Sequence, residues 1–208
     1  RVIYTDADFA RRNRMGGMFL EAGHNLEFAI SKEFRAKHPE IKAIIGGKPN
    51  DLRLKWSSPL VAQELARVTL DLLQKNPYLG SYSLSPEDGM NWDESDDTKL
   101  DAGDFDPANQ AVSKTDRLMV LANRVAAIVR PKYPNFKFGI LAYVDYTRPP
   151  VREKVDPMVI PQIAPIAFTR AHPMNDPNEP NNKTLQGMVE GWAKVVPATS
   201  YYFYGYNL

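Results

Sequence analysis

The chain has 208 residues, a formal net charge of +1 and no cysteine. The balanced charge gives no electrostatic basis for binding nucleic acid, and the lack of cysteine excludes disulfides, thiolate catalysis and cysteine-bound zinc. Hydrophobic residues make up 43% and charged residues 25%, as in ordinary globular proteins, and no apolar run is long enough to span a bilayer. The chain opens on Arg1 with no signal-peptide pattern, so we expect a part of a longer protein with other domains.

Four helices are predicted: three from apolar residues that recur with a period of roughly 3.6, and a short one before them near Ser31–Lys37. The second helix has Ser58 in a position to cap it and Pro59 in its first turn, where proline is tolerated. The third has an apolar stripe from Leu118 to Val129 that stops at Pro131. The predicted helical segments are 31–37, 57–76, 111–134 and 183–197.

Strand-like apolar runs alternate with these helices. The order is strand, helix, strand, helix, strand, which is typical of a parallel sheet with crossover helices. The runs are apolar on both faces, as parallel strands are when helices cover the sheet. We expect the strands that end near Leu84 and Tyr143 to be parallel neighbours joined by the third helix. The runs are YLGSYSL, FKFGILAYVDY, PMVIPQIAPIAF and TSYYFYGYN.

Two α/β architectures fit this order: a (β/α) barrel of the TIM type and a doubly wound open sheet. No glycine-rich phosphate-binding motif follows a strand, which weakens the second. Polar and aromatic residues directly follow the strands, as in SLSPEDGMNW and AYVDYTRPP, and barrel enzymes build their sites at that end. We therefore predict a single α/β barrel domain over residues 1–208, or part of one, since about four or five strands are visible and a closed barrel has eight.

The segment 81–106 is unusually acidic, with nine acidic residues and one basic residue, Lys99. We expect residues 93–106 to form a solvated, exposed and mobile loop, because only Leu100 and Phe105 offer an apolar anchor. Calcium binding is the alternative, since carboxylates are good calcium ligands, but the spacing does not match an EF-hand. No metal site is predicted.

Two acids in this segment have a different setting. Glu87 and Asp88 follow a predicted core strand and lie between Pro86 and Gly89. A partly desolvated carboxyl at a strand end has a raised pKa, which suits a general acid. Asp145 ends the neighbouring strand and is expected to face Asp88 across the site. The predicted catalytic residues are Asp88, Glu87 and Asp145, with Asp88 favoured; the alternative is an exposed Asp-Gly turn.

Aromatic and histidine side chains near the strand ends are predicted to contact a ligand. Flat rings with polar edges suit stacking against sugar rings, although core packing is the alternative for each aromatic residue. His24 and His172 lie in predicted loops and show no metal-binding spacing. The predicted substrate-binding residues are His24, Trp56, Asn91, Trp92, Tyr143, His172, Tyr204 and Tyr206.

Several segments, taken in order, resemble a bacterial domain family of unknown function. They include H-P-E before a short strand and a glycine turn, S-x-S-P-x-D-G at a strand end, and N-R-V-A in a helix followed by Y-P and an A-Y strand, over residues 23–206. That family is found beside carbohydrate-active modules and looks like the catalytic barrels of α-glucuronidases and hexosaminidases. The resemblance implies ligand-facing roles for Asp88, Tyr143 and His24, and a periplasmic or extracellular location. Relatives often carry Cys-x-Cys-x-x-Cys after the D-G, where this chain reads MNWDESDDTK.

The function implied by the resemblance is that of a glycoside-hydrolase-like barrel that acts on or binds an oligosaccharide or polysaccharide. Most glycosidases use two carboxyl groups, whereas a substrate-assisted type needs one acid and a residue that steadies the sugar's own amide. No cofactor is predicted, and the expected partner is carbohydrate rather than nucleic acid or a membrane. The alternatives are a non-catalytic carbohydrate-binding module, with the same aromatic residues but no matched acid pair, and a structural domain.

Overall fold

The computed structural model describes residues 20–164, 166, 169, 171–173 and 175–201, with the backbone alone at 200 and 201. The helices are α1 (Leu26–Ala29), α2 (Lys32–Lys37), α3 (Pro59–Lys75), α4 (Thr115–Val129) and α5 (Pro180–Val195). The strands are β1 (Lys42–Ile45), β2 (Lys48–Leu54), β3 (Ser81–Ser83), β4 (Phe105–Asp106), β5 (Ala111–Val112), β6 (Lys137–Ala142), β7 (Val159–Ile163) and β8 (Ser200–Tyr201). Short 3-10 helices occur at Pro39–Ile41, Asp96–Leu100 and Val144–Tyr146.

The helix boundaries follow the residues that start and stop helices. α3 begins at Pro59, directly after Ser58, and α4 ends at Val129, shortly before Pro131. Proline fits the first turn because its missing N–H would have no partner there, whereas farther along it clashes with the preceding turn. The Ser31 hydroxyl caps α2 by accepting a backbone N–H bond. The four predicted helices are confirmed, and α1 is an additional single turn.

The main sheet has four parallel strands in the order β3-β6-β7-β8. α4 connects β3 to β6, and Tyr82 lies opposite Phe138 in the ladder between them. This confirms that the strands ending near Leu84 and Tyr143 are parallel neighbours joined by the third predicted helix. A loop and a 3-10 helix join β6 to β7, and α5 lies between β7 and β8 in the chain. Neighbouring strands therefore follow chain order across the sheet.

The chain segment before α1 continues the parallel arrangement beside β3. His24 forms a parallel bridge with Ser85, and the Glu21 N–H donates to the Ser81 hydroxyl at 2.8 Å. Gly139 in β6 makes this close approach possible, because a Cβ atom there would lie 2.0 Å from the Glu21 carbonyl oxygen. His24 is thereby placed at the carboxyl end of the sheet.

An antiparallel hairpin formed by β1 and β2 stands outside the main sheet. Gly46 and Gly47 form its turn with φ values of 58° and 73°, a region that glycine enters without strain. The short strand and glycine turn after H-P-E in the family motif correspond to β1 and this turn, whereas β2 was not predicted. It matters for the site because β2 carries Arg53 and leads directly to Trp56.

The core contains the inner faces of α3 and α4, which pack against each other, together with the side chains of β6 and β7. The described residues form a mixed α/β fold with three sheets, none of which closes into a barrel. In the same residues no helix is long and apolar enough to cross a membrane.

Candidate functional site

The candidate site lies where β3 and β6 end, at the carboxyl edge of the main sheet. His24 Nδ1 bonds to the Pro86 carbonyl oxygen, and since a carbonyl only accepts, Nδ1 is the donor. The His24 ring also meets the Tyr143 ring edge-on, with 5.9 Å between their centroids. The sheet therefore brings together the beginning of the described chain, the end of β3 and the end of β6.

Glu87 is the half-buried carboxyl of this site. Its Oε1 atom is buried and has no hydrogen-bond partner among the described residues. Burial raises the pKa of Glu87, while the nearby charges of His24 and Arg53 lower that pKa and the charge of Asp88 raises it. A carboxyl with a raised pKa at a strand end holds its proton to higher pH than a free carboxyl does, which suits a proton donor.

Asp88 differs from Glu87 because it is exposed to solvent. Its Oδ1 atom accepts the Gly89 N–H at 2.9 Å, and Gly89 has a φ of 110°. The turn is therefore the Asp-Gly type that the sequence indicated, and it directs the neighbouring carboxyls into different environments. Of the two adjacent carboxyls, Glu87 is therefore half-buried and Asp88 is exposed.

Two buried charged residues hold the backbone of this turn. Glu27, which is 0% exposed, accepts the Glu87 N–H through Oε2 at 2.7 Å. Arg53 donates from Nη1 to the Glu87 carbonyl and from Nη2 to the Asp88 carbonyl, each at 2.7 Å. The Arg53 guanidinium also stacks over the Trp92 ring, 4.8 Å from its centroid. Burial raises the pKa of Glu27, although the Glu87 N–H and the Arg53 charge both lower it.

Asp145 does not face Asp88 across an open cleft, which corrects the expected carboxyl pair. Its side chain is 5% exposed, and its Oδ2 atom accepts the Trp92 indole N–H at 2.6 Å. A buried indole N–H needs an acceptor, and Asp145 supplies it. Asp145 therefore orients Trp92 behind the site.

Trp56 and Trp92 are core residues rather than exposed stacking surfaces. Trp56 is 1% exposed, and its ring lies 5.1 Å from that of Trp92. Trp92 is also buried and packs edge-on against Tyr146 at 5.7 Å. The expectation that these two tryptophans offer open faces to a sugar is corrected, because their faces are covered by protein.

A family model described as "Domain of unknown function (DUF4838)" matches residues 4–208. The chain belongs to this family. No curated protein matches it. The family description names no activity, so the geometry of the site must carry the functional argument.

The remaining predicted ligand-binding residues of this DUF4838 domain have different surroundings. Asn91 is exposed in the loop that follows Gly89. His172 is exposed, and its Nδ1 atom pairs with Asp176 Oδ2 at 3.0 Å, in the segment before α5. Tyr204 and Tyr206 lie outside the described residues.

The acidic segment of the DUF4838 domain is largely built into the fold, so the expectation of an exposed loop over residues 93–106 is wrong. Asp93, Asp97 and Asp106 are buried. The Asp97 carboxylate accepts the backbone N–H groups of Trp56 at 2.7 Å and Ser57 at 2.8 Å. The carboxylates of this segment therefore satisfy backbone donors that would otherwise be buried without partners.

Asp93 and Asp101 also hold this segment in the fold, the first through a backbone donor and the second through basic side chains. Asp93 Oδ1 accepts the Ile44 N–H of β1 at 2.6 Å, which ties the hairpin to the segment. Asp101 receives two bonds from the buried Arg117 guanidinium, both at 2.6 Å, and one from Lys114 at 2.8 Å. Across the described ranges, no group of three or more acidic or histidine side chains is arranged to hold a metal ion.

Glu27 and Arg53 were missed by sequence reasoning. Each is a charged residue beside apolar ones, Glu27 next to Leu26 and Phe28 and Arg53 between two leucines. That pattern is a weak signal, since a lone charge in a short element usually faces solvent. Only their burial against the Glu87–Asp88 turn reveals the role.

Proposed function

We propose that this DUF4838 domain is a carbohydrate-active domain of the glycoside-hydrolase type, with Glu87 as its proton donor. One observation carries the proposal: a half-buried carboxyl with a raised pKa lies beside His24 where two parallel strands end. Sites of α/β enzymes with parallel sheets lie at that edge. The resemblance to glycoside-hydrolase barrels supports carbohydrate as the substrate class.

The geometry favours a reaction with one carboxylic acid as proton donor. Asp145 is buried against Trp92, so it is not available as the second carboxyl. Asp88 is exposed beside Glu87 and is the proposed contact for the substrate itself. In a substrate-assisted glycosidase the sugar's own amide takes the place of an enzyme nucleophile, and a neighbouring residue steadies that amide. We assign that steadying role to Asp88.

We also propose that the parallel sheet is part of a (β/α) barrel. The four parallel strands follow chain order, and the segment at His24 extends the parallel pairing on the free side of β3. A (β/α) barrel has this consecutive order throughout, whereas a doubly wound sheet reverses it at a switch point. A crystal structure of the protein tests this: further parallel strands beside His24 and β8 support a barrel, and an antiparallel neighbour on either side rejects it.

Kinetics on a panel of chromogenic glycosides test the proposed chemistry. Glu87→Gln should lower turnover by about 10²–10⁴-fold, which is the usual contribution of general acid catalysis. Glycosides with good leaving groups should lose less, because they need less protonation. Asp96→Asn serves as the matched control, since Asp96 is an exposed acid of the same segment and should leave turnover unchanged. If Glu87→Gln hydrolyses a natural glycoside at the wild-type rate, Glu87 is not the acid.

A non-catalytic carbohydrate-binding module is the second candidate. It is favoured by the burial of Asp145, which removes the matched pair of carboxyls across a cleft that most glycosidases use. In that case no glycoside is hydrolysed by the wild-type protein, yet oligosaccharides shift the NMR signals of His24 and Tyr143. Absence of both turnover and binding over a broad glycan panel rejects the carbohydrate proposal altogether.

A further inference from the structure

Three backbone groups of the Glu87–Asp88 turn are bound by two buried side chains that come from distant parts of the sequence. Glu27 in α1 lies 60 residues before Glu87 in the chain and accepts its N–H at 2.7 Å. Arg53 in β2 precedes Glu87 by 34 residues and donates to the Glu87 and Asp88 carbonyls, each at 2.7 Å. Glu87 is therefore bound on both sides of its Cα atom.

Glu27 and Arg53 use their hydrogen bonds on the turn rather than on each other. The distance between Arg53 Nη1 and Glu27 Oε1 is 3.6 Å, which is an ion pair without a hydrogen bond. Glu27 Oε1 has no hydrogen-bond partner among the described residues. Burying two charges costs free energy, and a pair that served stability alone would gain most by bonding directly. Instead, both side chains form hydrogen bonds with the peptide groups around Glu87.

These contacts also restrict the chain on the far side of the turn. A Cβ atom at position 89 would lie 3.0 Å from Arg53 Nη2, and Gly89 has a φ of 110°. Both facts favour glycine there, so the guanidinium determines how the chain leaves Asp88. With the peptide groups before and after Glu87 held, the direction of the Glu87 Cα–Cβ bond is held as well.

We propose that Glu27 and Arg53 are positioning residues that fix the direction of the Glu87 side chain in the site. The inference rests on the proposed role of Glu87. Hydrogen exchange and NMR titration need no substrate. They therefore distinguish a failure of the positioning role of Glu27 and Arg53 from a failure of the carbohydrate proposal. The charged groups that face Glu87 are His24, Arg53 and Asp88, with Glu27 at its backbone.

Amide hydrogen exchange tests the contact made by Glu27. In Glu27→Gln the side-chain oxygen still accepts the Glu87 N–H, so protection of that amide should be largely kept. In Glu27→Ala the acceptor is gone, and the Glu87 amide should exchange about 10–100-fold faster, the equivalent of one hydrogen bond to a charged group. If Glu27→Ala does not fold, Glu27→Met replaces it, since methionine fills the space without an oxygen acceptor. Unchanged Glu87 exchange in the acceptor-free variant overturns the proposal.

Carboxyl NMR titration of Glu87 tests the contact made by Arg53. Arg53→Met removes the cation that lowers the pKa of Glu87, so that pKa should rise further above its ordinary range. Arg53→Lys keeps the cation but cannot reach two carbonyls in a fork, so the titration should stay near that of wild type while the Glu87 side chain becomes mobile on relaxation measurements. If the Glu87 side chain is as well ordered in Arg53→Lys as it is in wild type, the proposal is overturned.

Arg124→Lys is the control for Arg53→Lys. Arg124 in α4 is a half-buried guanidinium that also donates to a main-chain carbonyl, that of Ser57, and it does not line the cavity that holds Glu27 and Arg53. It should reduce global stability and leave the Glu87 titration and side-chain order unchanged. If glycosidase activity is found, Arg53→Lys should lower kcat by about 10²-fold with little change in KM, which is the usual cost of misplacing a catalytic group by about 1 Å. If both substitutions change the Glu87 titration and side-chain order equally, the change reflects a general loss of stability, and a specific positioning role is rejected.

Discussion

Replacement of Asp97 by alanine tests whether the acidic segment is part of the folded framework. Asp97 is 1% exposed, and its two carboxylate oxygens accept the N–H groups of Trp56 and Ser57 just before α3. Without the carboxylate, the buried Trp56 N–H and the half-buried Ser57 N–H both lose their acceptor. A hydrogen bond to a charged group contributes about 1.5–3 kcal/mol, and two such bonds are lost.

The expected loss in the free energy of unfolding is about 3 kcal/mol, near the lower end of that sum, because removing a buried carboxylate also removes its desolvation cost. That cost is visible in Asp97 itself, since burial raises its pKa. For a domain of this size the loss corresponds to a fall of about 6–12 °C in Tm. Chemical denaturation followed by circular dichroism measures the free energy, and a thermal scan measures Tm.

Asp96→Ala is the control, because it removes an equal charge from the neighbouring position. Asp96 is exposed and pairs with Lys55 at 3.2 Å and Lys99 at 3.6 Å. Surface ion pairs contribute little, so this variant should unfold like wild type. If Asp97→Ala also unfolds like wild type, or if the two variants lose stability equally, then the segment is not held by the buried carboxylate and the argument fails.

Two further predictions concern the support of the site. Gly139→Ala should cost at least about 3 kcal/mol and shift the NMR signals of His24, because its Cβ would overlap the Glu21 carbonyl at 2.0 Å; Gly187→Ala in α5 meets nothing within 4 Å and should stabilise by about 1 kcal/mol or less. A harmless Gly139→Ala contradicts the close approach. The second prediction is that wild type loses stability relative to Glu27→Gln as the pH of a denaturation series rises above the ordinary glutamate pKa of about 4. Burial raises the pKa of Glu27 in the fold above its ordinary value, so the folded state holds a proton that the unfolded chain has released, and ionisation opposes folding. A constant difference between the two proteins across this range contradicts that reasoning.

Local periodicity was sufficient to predict the two strands whose ends carry Glu87 and Tyr143, and the helix between them. The stripe from Leu118 to Val129 predicted α4, and the apolar runs around it predicted two strands that the structure pairs in parallel. The strand ends at Ser85 and Tyr143 were therefore expected at one edge of a sheet, and both reach it. These features depend on residues within one helix or strand, which is why sequence reasoning finds them. In the hairpin, the first strand and the Gly46–Gly47 turn match the family motif, whereas β2, a largely polar strand, has no apolar run that predicts it.

Which carboxyls are buried was decided by the tertiary structure alone. In the sequence, Glu87, Asp88 and Asp145 look alike as acids at strand ends. The fold exposes Asp88, half-buries Glu87 and closes Asp145 against the Trp92 indole.

The sequence by itself determined the order of the parallel strands and of the four longer helices, and hence which strand ends meet at one edge of the main sheet. It left open what each acid does there, and the buried aspartates of the acidic segment also needed the three-dimensional fold to be explained. The physical reason is that the environment of a charged side chain is set by groups that approach it from elsewhere in the chain. Glu27 and Arg53 reach the Glu87 turn from 60 and 34 residues away, and no local pattern encodes such contacts.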